Sequence, residues 1–239
     1  MRKSQKILVA SGVGVLALIA VAAIAGPIVY RDLIAAPAAE APSLGADESV
    51  LSRDGAALDP ADLAGEWSVG EGSEAGYRVD EVLNGTDVTV TGRTSDVTGT
   101  FTIADSGRSL DAARLTVDVA SIATDNSSRD AYFRDQAMRA DEFPTATFEL
   151  TTPVELASVP ATGEVVQAQA VGDLTIAGVT RSVTADVSVR SDGRVAEIAG
   201  SIPIVFADFG VQAPSLGFVQ VEPSGAVEFQ LTAERGPAD

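Results

Sequence analysis

The sequence predicts an all-β domain of about eight antiparallel strands with one short helix, preceded by an N-terminal transmembrane helix. Three observations predict it. Apolar and polar residues alternate at period two through most of residues 65–239, as in strands with one dry and one wet face. Turn signals such as Asn84-Gly85, Asp105-Ser106-Gly107 and Ser191-Asp192-Gly193 separate the alternating runs. Ahead of them, residues 7–30 carry no charge at all.

That uncharged run is long enough to span a hydrocarbon core, whereas the apolar part of a cleaved signal is usually about 7–15 residues. Arg2, Lys3 and Lys6 precede it, and Arg31 beyond it is offset by Asp32. The positive-inside rule then puts the N-terminus in the cytoplasm and everything after residue 30 outside. Residues 1–30 are therefore read as a cytoplasmic tip and an anchor in the cytoplasmic membrane. Ala23-Ile24-Ala25 has the small-x-small form of a cleavage site, so a secreted product starting near Gly26 is the alternative. Residues 31–64 are rich in Ala, Pro and acids with no sustained period, and read as an extracytoplasmic linker. The composition changes at Gly65-Glu66-Trp67, which holds the only tryptophan, and a single domain runs from there to residue 239.

Composition excludes several function classes. The formal net charge is −18, and no lysine follows Lys6. Such a surface repels phosphate backbones and predicts no nucleic-acid partner. It also argues against broad electrostatic docking on anionic lipid. The absence of cysteine removes disulfides, thiolate catalysis and a lipidated N-terminal cysteine. The absence of histidine removes the commonest general base and metal ligand.

Taken in order, the alternating rows are clear. Strands are expected near 76–83 and 86–92, and then Val97, Gly99, Phe101 and Ile103 face opposite to Thr98, Thr100 and Thr102. Leu115, Val117 and Val119 form the next row, followed by strands near 145–151 and 165–176. Val183, Ala185, Val187 and Val189, a strand near 196–206, and Val227, Phe229, Leu231 and Ala233 complete the set. One segment breaks the period. Ser127-Ser128-Arg129-Asp130 has an N-cap residue with an acid three positions on, and helix formers follow to about residue 139. Pro144 must stop this helix, so Phe143-Pro144 is a helix-to-strand joint. Strands with one apolar face either close as a barrel or pair as a sandwich, and periodicity alone does not choose.

Candidate chemistry is thin. Asp141-Glu142 could act as an acid/base pair, but adjacent residues of an extended segment point apart, and solvated acids are the simpler reading. Ser127 and Ser128 have no histidine partner for a triad. The oxygen-rich Asp125-Asn126-Ser127-Ser128 stretch lacks the glycine and terminal glutamate of a calcium loop and reads as helix capping. There is no glycine-rich phosphate cradle. No catalytic residue, metal or cofactor is expected.

Three stretches resemble a known family. "SIATDNSSRDAYFRDQAMRADEFPTATFEL" is similar to the Thr-containing loop, short charged helix and aromatic-Pro run of the YceI-like polyisoprenoid-binding proteins, which have a lipocalin-like β-barrel. "VGDLTIAGVTRSV" resembles their Gly-x-Leu-Thr hairpin, and "ADFGV" their Asp-Phe-Gly near the last strands. Many members carry histidine near the first hairpin, where this chain reads "YRVDEVLNG", so no role of that histidine transfers. The resemblance implies an elongated barrel holding a long isoprenoid chain in an apolar tunnel. The residues then expected to line it are Phe101, Leu115, Phe133, Phe143, Phe148, Leu150, Leu174, Ile176, Phe206 and Phe229. Rows of this kind are plain core in most β domains, which is the competing reading.

The expected function is binding of an isoprenoid or other long-chain lipid on the outer side of the cytoplasmic membrane, as carrier or sequestering protein, without catalysis. The alternatives are an envelope interaction module with a filled barrel and a carboxylate-based hydrolase. The residues name no protein partner.

Overall fold

Hydrogen bonding joins the alternating runs into one antiparallel sheet that closes on itself. The structure, a computed structural model, describes residues 38–44, 55–83, 85–215, 217 and 219–236. The expected transmembrane span and the possible cleavage site lie outside the described residues. Among those described, no helix is long and apolar enough to cross a membrane.

The strands are β1 (Gly65–Val69), β2 (Glu74–Leu83), β3 (Thr86–Thr94), β4 (Val97–Ile103), β5 (Ser109–Asp118), β6 (Thr145–Leu150), β7 (Val154–Glu155), β8 (Val166–Ile176), β9 (Val179–Ser191), β10 (Val195–Val205) and β11 (Val219–Arg235). The ring of eight runs β1, β4, β5, β6, β8, β9, β10, β11 and back to β1, while β7 adds a short pairing to β5. Closure rests on β1, where Trp67 stands opposite Phe101 on one side and Arg235 on the other. The period-two rows face inward as expected: Phe101, Ala185, Ile198, Phe229 and Leu231 all belong to one buried cluster. A barrel, not a sandwich, is how these faces meet.

β11 is 17 residues long, so it serves β1 at its C-terminal end and β2 before it. The β2–β3 hairpin extends the wall upward. Among the described residues, the far edge of β3 meets only a short partner: Arg93 and Ala123 exchange backbone hydrogen bonds of 3.0 and 3.1 Å. A 3-10 turn at Val119–Ser121 and helix α2 (Ser127–Tyr132) follow, and Val119, Ser128, Arg129 and Tyr132 from them line the space at this end of the barrel. Asn126, not Ser127, caps the helix, its Oδ1 accepting from the amides of Ser128 (2.9 Å) and Arg129 (3.2 Å). Asp130 instead turns back to accept from the amide and hydroxyl of Thr124. The helix widens into a π turn at Phe133–Ala137, and Arg139, at φ 51, lies just beyond it. Asp141 and Glu142 are solvent-exposed in the turn that follows, and β6 starts at Thr145, so this stretch is a joint.

The base of the barrel is stoppered by residues 55–64. A single turn of helix, α1 (Pro60–Leu63), is capped by Asp59 and places Leu63 in the core beside Leu58. The Trp67 indole donates to the Leu63 carbonyl (2.8 Å), and Thr162 donates to the Ala56 carbonyl from both its amide and its hydroxyl. The sequence offered no sign of this stopper, because its composition is that of the linker.

On the outer face, Glu228 is only 3% exposed and accepts from Arg78 (2.7 Å) and Arg93. Arg78 also donates to the Ala39 carbonyl (2.6 Å), and the Ala39 amide donates to Thr91 (3.0 Å), which lays residues 38–44 against this wall.

Candidate functional site: an apolar tunnel

The inward rows do not fill the barrel. Alanine occupies many inward positions (Ala113, Ala146, Ala168, Ala170, Ala185 and Ala196), and a methyl in place of a larger side chain leaves space along the axis. The result is a lower cavity of about 250 Å³ and an upper one of about 940 Å³. Both are lined by Ala75, Val117, Ala146, Ile176 and Val227, so the two meet at one waist. Leu63 and Trp67 line the lower end, together with Arg108, Pro160 and Glu164 of the surrounding loops.

Larger side chains sit where a glycine makes room across the sheet. An added Cβ on Gly200 would meet Phe229 at 2.4 Å, and one on Gly92 would meet the Tyr77 ring at 2.5 Å. Tyr77 also stacks on Phe133, with ring centroids 4.7 Å apart. This stack holds the helical cover against β2.

Of the residues expected to line the tunnel, Phe101, Leu115, Phe148, Leu174 and Phe229 line the lower cavity. Phe133 and Phe206 line the upper one, and Ile176 lines both. Phe143 and Leu150 line neither. Phe143 belongs to the helix-to-strand joint, where its ring packs against Gly178 and lies 4.8 Å beneath the Arg139 guanidinium. Leu150 is the last residue of β6, opposite Gly172, and the Phe148 ring already covers that glycine. Leu150 packs against the core from the edge.

The upper cavity also carries polar groups that the alternating-row reading missed. Arg129 is the one cation among the described residues lining it, and it pairs with Glu81 (3.2 Å) and Asp125 (2.7 Å). Burial works against the Arg129 charge, but Glu81 and Asp125 more than offset it and hold its pKa above the ordinary value. Glu81 is buried at 6% exposure. Tyr77 is pushed up to about 12, first by burial, and stays a neutral phenol at physiological pH. Among the described residues, nothing accepts a hydrogen bond from its hydroxyl. One signal could have found this cluster: the inward row Ala75, Tyr77, Val79 ends on an acid, Glu81. No group of His, Cys, Asp or Glu able to hold a metal occurs among the described residues.

Comparison with known proteins places this geometry. The family described as YceI-like domain matches residues 68–233. A UPF0312 protein of Pseudomonas paraeruginosa is 31% identical over 128 residues, which cover 51% of this chain and 63% of that relative. A protein YceI of Salmonella arizonae is 31% identical over 103 residues, 43% of this chain and 50% of that protein. The chain thus spans 63% or less of the length of these relatives. Among solved structures, a polyisoprenoid binding domain from Saccharophagus degradans, implicated in plant cell wall breakdown, superposes with a TM-score of 0.56 at 23% identity. That superposition covers 71% of this chain and 98% of the other. Burkholderia cenocepacia BcnA follows with a TM-score of 0.51 at 22% identity, covering 65% and 95%.

Proposed function

Because the chain belongs to the YceI-like domain family, we propose that it binds a long-chain isoprenoid or similar lipid, tail inward, in the tunnel. The observation that carries this reading is the joined apolar space of the barrel. The likeness in fold to a protein named as a polyisoprenoid binding domain supports it. The upper cavity alone falls within the usual range of ligand sites, roughly 300–1,000 Å³. Each buried methylene contributes roughly 0.8 kcal/mol, so about ten buried carbons supply ~8 kcal/mol, near micromolar affinity before ordering costs.

No bond-making step is needed for this role: the wall shields the tail from water. The uncharged residues 7–30, with Arg2, Lys3 and Lys6 ahead of them, support tethering to the outer side of the cytoplasmic membrane. A tether raises the effective concentration of the barrel at the bilayer without a basic surface. The barrel would then act as carrier or sequestering protein for a lipid that leaves that membrane. A titration of the full chain with a fluorescent polyprenyl probe tests this reading. Saturable binding, competed by unlabelled polyprenol and not by a short prenyl alcohol, is expected. No saturable binding, or equal competition by both alcohols, would count against it.

A further inference from the structure

We propose that the upper mouth selects isoprenoids with an uncharged, hydrogen-bond-accepting head group over phosphorylated ones, with Tyr77 and Arg129 as donors and Glu81 and Asp125 as the anion-excluding groups. This rests on the tunnel reading above and names the class of lipid that the tunnel takes.

We take the tail to lie in the smaller lower cavity and the head group in the larger upper one, where Tyr77, Glu81 and Arg129 line the space. There the polar groups lie together. Tyr77, Glu81 and Arg129 all line that cavity, and Asp125 holds the other side of the Arg129 guanidinium. Outside the lining, Asp130 and Arg93 also act on Tyr77, with opposite signs.

A phosphate needs either several cations or a set of free backbone amides. Among the described residues lining the mouth, Arg129 is the only cation, and two carboxylates share its guanidinium. The arginines of β2 and β3, Arg78 and Arg93, are both committed to Glu228 on the outer face. The amides of Ser128 and Arg129 at the start of α2 are already satisfied by Asn126. A phosphate entering here would meet uncompensated negative charge at short range, where screening by salt is weak.

An uncharged acceptor meets a different site. The Tyr77 hydroxyl remains protonated and has no acceptor among the described residues, and a carbonyl or hydroxyl on the ligand supplies one. Arg129 has donors in a fixed fork and can share one with such an oxygen while keeping its carboxylates.

The test compares a polyprenol and a polyprenyl monophosphate of the same tail length, competing for one fluorescent probe on the full chain. Wild type is expected to bind the alcohol at least tenfold more tightly. Glu81→Gln with Asp125→Asn should shrink that ratio several-fold, by raising affinity for the phosphate. Tyr77→Phe should weaken binding of the alcohol several-fold and leave a head-group-free polyprenyl hydrocarbon unchanged. Because Glu81 is buried, Asp125→Asn alone serves as a second variant, and it too should lower the ratio. Equal or tighter binding of the phosphate by wild type, or a ratio unmoved by Asp125→Asn, would overturn the selectivity. Failure of all three lipids to bind would instead overturn the tunnel reading beneath it.

Discussion

The ring of Phe148 lies across Gly172: a Cβ on Gly172 would fall 2.4 Å from Phe148 Cζ and 2.5 Å from the Glu149 carbonyl oxygen. The ring could swing aside, but the carbonyl belongs to the β6–β8 ladder and cannot. Gly172→Ala should therefore destabilise the barrel by about 1–3 kcal/mol, the usual range for overpacking. Chemical denaturation measures it, and a change below about 0.5 kcal/mol would mean that the two strands stand further apart than described.

Ala146 occupies the waist where the two cavities meet. Ala146→Phe would put a ring into open space instead of a packed core, so a stability change within about 1 kcal/mol is expected. Lipid affinity should fall at least tenfold, because a tail could no longer pass the waist. Parallel denaturation and probe titration decide this. Unchanged affinity would mean that ligand uses the upper cavity alone.

Tyr77 makes stability pH-dependent in a definite direction. Its folded pKa is raised from 10.0 to about 12, so the folded state keeps a proton that the unfolded chain releases earlier. That contribution is fully present below pH 10 and is lost as pH rises from there toward 12. Its full size is on the order of 2 kcal/mol. No lysine follows Lys6, which leaves this window nearly free of other groups in the domain. Urea midpoints between pH 9 and 12 should fall for wild type and stay flatter for Tyr77→Phe. Equal slopes in the two proteins would mean that the ring is better solvated than the stack on Phe133 implies.

The stopper at the base can be read through the only tryptophan. Trp67 is 3% exposed, and its indole is held by the Leu63 carbonyl. Leu63→Ala should cost about 2–4 kcal/mol, the range for large-to-small core changes. It should also shift Trp67 emission to the red as water reaches the base. A stability loss with unshifted emission would place the lost packing elsewhere than at the indole.

Much of the wall was legible because alternation is a local signal. Rows such as Val97 to Ile103 and Val227 to Ala233 face inward as their periods imply. Closure was not legible, since it depends on Trp67 pairing with both β4 and the far end of β11, a match between distant segments. β1 itself has too few apolar residues to announce a strand. The helix start was misplaced by one residue, because Asn126 and Ser127 are both good caps and only the loop geometry chooses between them.

The tunnel was partly legible for a similar reason. Period two gives the face on which a residue lies, not its height along the barrel, so it could not separate Phe148, which lines the cavity, from Leu150, which sits at the strand's edge. Large apolar residues drew notice while the space itself comes from inward alanines. Glu81 stood out least, because one acid among 34 is easily read as surface.

Native mass spectrometry of the full chain purified from its own host tests the central claim most directly, with Ala146→Phe prepared in parallel. The wild-type protein should retain a non-covalent lipid that organic extraction removes and fragmentation identifies as a long isoprenoid or similar chain, and Ala146→Phe should retain little of it. Wild-type protein that carries no lipid from its host and takes up none when polyprenol is added would contradict the account.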